Sequence, residues 1–91
     1  MNLIGELIKE LKGETITLQE MEYIIYSTDL VNKIDLIYNK EVLDEKVIVY
    51  SLNLEEEINN PRYLYVEFDF IERNEEEPWR SDIIIEDIYV M

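Results

Sequence analysis

The chain has 91 residues, 22 acidic against 8 basic side chains, and a formal net charge of −14. That length permits one core of modest size, burying about 60–65% of the unfolded surface. The sign of the charge excludes a nucleic-acid binder, because such a field repels phosphate and steers the protein toward basic surfaces.

Hydrophobic residues at 47%, with seven tyrosines, are enough for a folded domain despite the charge. Histidine and cysteine are absent, so no disulfide, thiolate metal site or His-based catalysis is available, and a reducing cytoplasm fits. The opening MNLIGELIKELKG has its apolar positions broken by Glu and Lys, which is unlike a secretory signal. No run approaches the roughly 18 apolar residues of a membrane span. A soluble cytoplasmic chain is expected.

In chain order, Leu3, Ile4, Leu7, Ile8 and Leu11 form one stripe of an amphipathic helix over 3–12. Asn2 can cap its start, Lys9 and Lys12 suit its negative end, and Gly13 suits the position just beyond. Residues 15–27 carry two signals. Thr17 and Glu20 have capping-box spacing before a Leu18, Met21, Ile25 stripe, whereas Thr15–Thr17 and Tyr23–Tyr26 are strand formers. The balance favours a strand, interrupted near Gln19 and Glu20.

Ile34–Tyr38 and Val47–Tyr50 read as a hairpin joined by a short loop. Asn53 can cap an acidic helical turn over 54–58, carrying Glu55, Glu56 and Glu57, before Pro61 ends it. The stretch from Arg62 follows at the strand period of two. Leu64, Val66, Phe68 and Phe70 fall on a core face, and Tyr63, Tyr65, Glu67 and Asp69 on a display face. Glu72, Glu75, Glu76, Glu77 and Asp82 then surround Pro78 and Trp79 in an acidic loop. In the last strand, Ile83 and Ile85 point opposite to Ile88 and Val90 unless a bulge at Glu86–Asp87 restores one buried face. The expected fold is α+β: an N-terminal helix on an antiparallel sheet of four or five strands, in a single domain over 1–91.

An enzyme is not expected. Ser27, Ser51 and Ser81 have no partner base in a recognisable spacing, and two glycines cannot build a phosphate loop. Glu67 and Asp69 have the carboxylates of a glycosidase pair but are better explained as strand display. The Glu runs lack the spaced Asp/Asn and Gly pattern of a calcium loop, so no dedicated metal site and no cofactor is expected.

The remaining chemistry is imitation. Carboxylates at i and i+2 of a strand stand about 6.6 Å apart, a step comparable to that between successive phosphates. A strand with Glu67 and Asp69, continued by the acids of 72–82 and by Glu55–Glu57, presents a row of charge to residues that normally grip nucleic acid. Tyr63, Tyr65 and Trp79 offer flat groups in place of bases.

Two families of acidic phage decoys share local features. The segment GELIKELKGETITL (Gly5 to Leu18) resembles the opening of a small anti-CRISPR protein that occupies the target-DNA site of a CRISPR nuclease. The likeness lies in a Leu-Ile-basic-Glu-aliphatic-Lys helix followed by a Thr-containing strand. The hairpin at 34–50 and the acidic turn at 54–58 continue that layout, after which this chain turns to two strands where that family has further helix. Gly13 followed by Leu18, Gln19 and Glu20 resembles the phage inhibitor of uracil-DNA glycosylase, whose Gln-Glu edge strand enters the enzyme's DNA cleft. That resemblance implies Glu20 as the critical acid.

The expectation is an acidic inhibitor of a basic nucleic-acid-binding protein, a CRISPR nuclease first and a repair enzyme second. An immunity protein for a basic toxin nuclease would use the same electrostatics. A small structural protein forming a homodimer through its strand edges is the remaining reading.

Overall fold

A computed structural model describes residues 3–32, 40–53 and 62–91. In chain order these form α1 (Leu3–Leu11), β1 (Thr15–Thr17), α2 (Leu18–Ser27), α3 (Lys40–Glu45), β2 (Val47–Ser51), β3 (Tyr63–Glu72), a single 3-10 turn (Pro78–Arg80) and β4 (Asp82–Val90). The four strands make one antiparallel sheet in the order β1-β4-β3-β2. This is the expected α+β arrangement with an N-terminal helix. The acidic turn at 54–58, with Glu55, Glu56 and Glu57, lies outside the described residues, as do Asn2 and the 34–38 half of the expected hairpin.

Helix α1 forms where its stripe predicts. Leu7 and Leu11 are buried and Ile4 and Ile8 pack beside them. Gly13 ends it at φ +83, a left-handed backbone that glycine adopts without a Cβ clash.

The segment after β1 corrects the expected strand. Pairing with β4 stops at Thr17, opposite Asp82, and Leu18–Ser27 is helical. Thr17 takes extended backbone and caps the helix: its hydroxyl accepts the Glu20 N–H at 3.1 Å and donates to the Glu20 carboxylate at 3.0 Å. Leu18, Met21 and Ile25 are then all fully buried on one side. The strand preference of Tyr23–Tyr26 is weaker than a satisfied cap plus three buried apolar side chains. Thr17→Ala should cost about 1 kcal/mol, lowering the melting temperature by about 4–8 °C. An unchanged melting point would mean the cap does not hold the helix.

A second correction concerns the stretch before β2, which was expected as loop. Lys40–Glu45 is helical, and Leu43 joins the core. Lys46 then reverses the chain at φ +60 and leads into β2. Among the described residues β2 pairs with β3, and the Val31–Leu52 bridge lies just past its end.

The core lies on one face of the sheet, as the period-two pattern of β3 requires. Leu64, Val66 and Phe68 of β3 meet Ile83, Ile85 and Ile88 of β4 there, under the buried stripes of α1 and α2. The expected bulge is present. Glu67 faces Asp87 and Phe68 faces Ile85, which leaves Glu86 as the extra residue and keeps Ile88 buried with Ile85.

Candidate interaction surface

The helices and the core occupy one side of the sheet, so the side chains that alternate away from it form an open face. Strand register sets its rows. Val49, Tyr65 and Tyr89 lie abreast across β2, β3 and β4; Val47, Glu67 and Asp87 form the next row; Asp69 and Ile84 continue it beyond the bulge. Backbone bonds in both directions between Tyr63 and Met91 extend the ladder one step further. The rings of Tyr65 and Tyr89 stack at 5.4 Å between centroids and 4° between planes.

Six large apolar or tyrosyl side chains are exposed among the described residues, and four of them, Val49, Tyr63, Ile84 and Met91, belong to this face. Such clustering marks an interaction surface better than single exposed residues would. The face is also acidic. Glu67 stands directly across from Asp87, with Glu86 of the bulge alongside, and Glu72 stands across from Asp82. Like charges placed opposite on a ladder destabilise a sheet; Lys12 offsets this at Asp87, whereas Glu72 and Asp82 take no ion pair among the described residues.

The loop joining β3 to β4 is built, not slack. Buried Ser81 accepts the Asn74 N–H at 2.9 Å, Asn74 Oδ1 accepts the Glu77 N–H at 2.9 Å, and Ser81 N–H closes the 3-10 turn onto the Pro78 carbonyl. The Leu18 N–H donates to the Ser81 carbonyl, which ties the loop to the start of α2. Trp79 is half-buried on the 3-10 turn, which packs against α2. At the loop's other end Arg73 lies 5.0 Å over the Phe70 ring and pairs with Asp44 of α3 at 2.9 Å.

Against family models, curated proteins and solved structures, the chain finds no match.

Tyr63, Tyr65, Glu67 and Asp69 share the open face, as their alternation predicts. Glu72, Glu75 and Glu76 are exposed at the adjoining end, with half-buried Asp82 beside Glu72, and none of the four has an ion pair among the described residues. Glu77 is spent on Arg80 at 3.2 Å. Glu20 belongs to the cap of α2. The edge strand that the glycosylase-inhibitor likeness requires at Gln19–Glu20 is a helix here, so that likeness loses its contact element. Tyr89, Asp87, Ile84, Met91 and Val49 are members of the face that strand-by-strand reading missed. No three acids among the described residues converge to hold a metal ion, and no helix there is long and apolar enough to cross a membrane.

Two groups on the face are perturbed. A hydrogen bond to Glu67, foremost, holds the Tyr89 phenol above its ordinary value. Asp69 is held below its ordinary 3.8 by the Lys46 ammonium at 2.9 Å, and next by the Phe70 N–H. The folded carboxyl titrates below its unfolded value, so the pairing stabilises the fold above pH 3.8 and ceases to as pH falls through the lower folded value. Lys46→Met should return the Asp69 titration toward 3.8, read by NMR of the side-chain carboxyl; an unmoved titration would remove Lys46 as the cause.

Proposed function

We propose that this protein is an acidic decoy, a non-catalytic inhibitor that binds the basic nucleic-acid groove of a DNA-processing or defence enzyme, with a CRISPR nuclease as the first target to test. One observation carries the reading. Lys12, Lys46, Arg73 and Arg80 are each drawn into an ion pair, with Asp87, Asp69, Asp44 and Glu77 respectively. Glu72, Glu75, Glu76 and Asp82 take no ion pair among the described residues and lie together beside the open face that carries Glu67.

A rigid loop presents those charges, so little ordering entropy is lost when a partner engages them. The like-charged pair Glu72–Asp82 fits the same reading, since a cationic partner relieves a repulsion that the free protein bears. The charge steers association toward basic clefts and away from nucleic acid itself.

The exposed apolar side chains of the open face favour one second reading, self-association through that face. Juxtaposing two copies would also place carboxylate rows together, which the net charge of −14 opposes.

The test is capture from cell lysate on immobilised protein. The decoy reading expects a nucleic-acid-binding protein retained at about 50 mM salt and released as the Debye length shrinks toward roughly 4 Å near 0.5 M. Retention of proteins that ignore salt would overturn it. A mass that doubles with concentration and no nuclease retained would favour self-association.

A further inference from the structure

The stacked tyrosines are not needed for the charge argument, and they suggest what the open face takes hold of. We propose that this face docks an arginine side chain of the partner protein, its guanidinium lying on the Tyr65–Tyr89 stack and reaching the carboxylates of Glu67 and Asp87. This rests on the decoy reading and narrows it to a residue type and a place.

Three features of the face select arginine. Tyr65 lies between Val49 and Tyr89, so Tyr89, at the end of the row in a stack at 5.4 Å, is the ring with a face that no described strand flanks, and a planar, weakly hydrated guanidinium binds aromatic faces as a compact, strongly hydrated ammonium does not. Glu67 and Asp87 face each other across the ladder one row from the stack, where a guanidinium's fork of donors can serve carboxylates while its plane stays on a ring. The nearest cations fill the place only in part. Lys12 pairs with Asp87 at 3.4 Å from an exposed position where an incoming guanidinium can compete with it, and Lys46 is held by Asp69.

Other occupants fit less well. A nucleobase would stack on the tyrosines, but its phosphates would meet Glu67, Glu86 and Asp87. A second copy of the chain would bring the same acids and no spare arginine. An apolar segment would satisfy Val49 and Met91 but desolvate Glu67 and Asp87 with no counter-charge beyond Lys12.

The experiment titrates the whole protein, followed by amide and aromatic NMR shifts, with a blocked pentapeptide containing two arginines and with its lysine counterpart. The expected result is saturable shifts centred on Tyr65, Glu67, Asp87 and Tyr89, with the arginine peptide bound about threefold or more tighter than the lysine peptide. Tyr89→Leu, at a half-exposed site outside the core, should remove that preference while leaving the fold's amide spectrum intact. Equal affinities, or a footprint confined to Glu72–Glu77, overturn the arginine dock and leave the acidic-decoy reading standing. No shift with either peptide at low salt overturns both. Shifts on this face that follow protein concentration without peptide identify a second copy as its occupant and overturn the dock.

Discussion

Changing Glu72, Glu75 and Glu76 to lysine is expected to slow association with a basic nucleic-acid-binding partner by about tenfold or more at low salt. Each substitution removes a negative and adds a positive charge, so the formal net charge moves from −14 to −8. The positions are chosen because their side chains are exposed and take no ion pair among the described residues. Glu77 is left alone, since its pairing with Arg80 at 3.2 Å belongs to the loop's own structure. Rim charges act mainly on encounter, so the dissociation rate should change less than the association rate, and the difference should shrink as salt rises toward about 0.5 M. Stability should hold or improve slightly, because the Glu72–Asp82 repulsion is replaced by an attraction. Stopped-flow or surface-plasmon kinetics at two salt concentrations read all three effects. Unchanged association would place the binding surface elsewhere on the molecule.

Phe68→Ala is expected to cost about 3–5 kcal/mol, in a domain whose whole stability is roughly 5–13 kcal/mol by the usual per-residue range. Phe68 is 2% exposed, meets Phe70 edge to face at 5.4 Å, and sits opposite Ile85 just past the register shift that follows the Glu67–Asp87 pair. Its N–H donates to the Lys46 carbonyl at 3.0 Å, so the same residue positions the turn that carries Lys46 to Asp69. Removing the ring opens a cavity under the bulge that aligns Glu67 with Asp87. A fall in melting temperature of at least about 12 °C should result, with Phe68→Leu losing much less. A loss under about 4 °C would mean that the sheet is not anchored at this point.

The period-two face of β3 was legible because burial on one side leaves a direct mark in the order of residues, and the bulge at Glu86–Asp87 was legible because the alternation visibly slips there. Helix α2 was harder. Tyr23, Ile24, Ile25 and Tyr26 favour a strand locally, and the cap at Thr17 and Glu20 prevails only because Leu18, Met21 and Ile25 find a core to enter. The near half of the candidate surface, Tyr63 to Asp69, followed from its own strand. The far half did not, because Tyr89 and Asp87 reach Tyr65 and Glu67 only through register, which the bulge itself fixes. Nor could the neutralising of Asp69 by Lys46 be read from order alone, since 23 positions separate them and strand pairing brings them together.

We propose that one connected acidic face of this protein stands in for a polyanion. The most direct test is a competition between this protein and duplex DNA for the basic protein it captures, followed by fluorescence anisotropy of labelled DNA. Mutually exclusive binding is predicted, with DNA released in step with complex formation. A stable ternary complex, with DNA still bound at saturation, would contradict it.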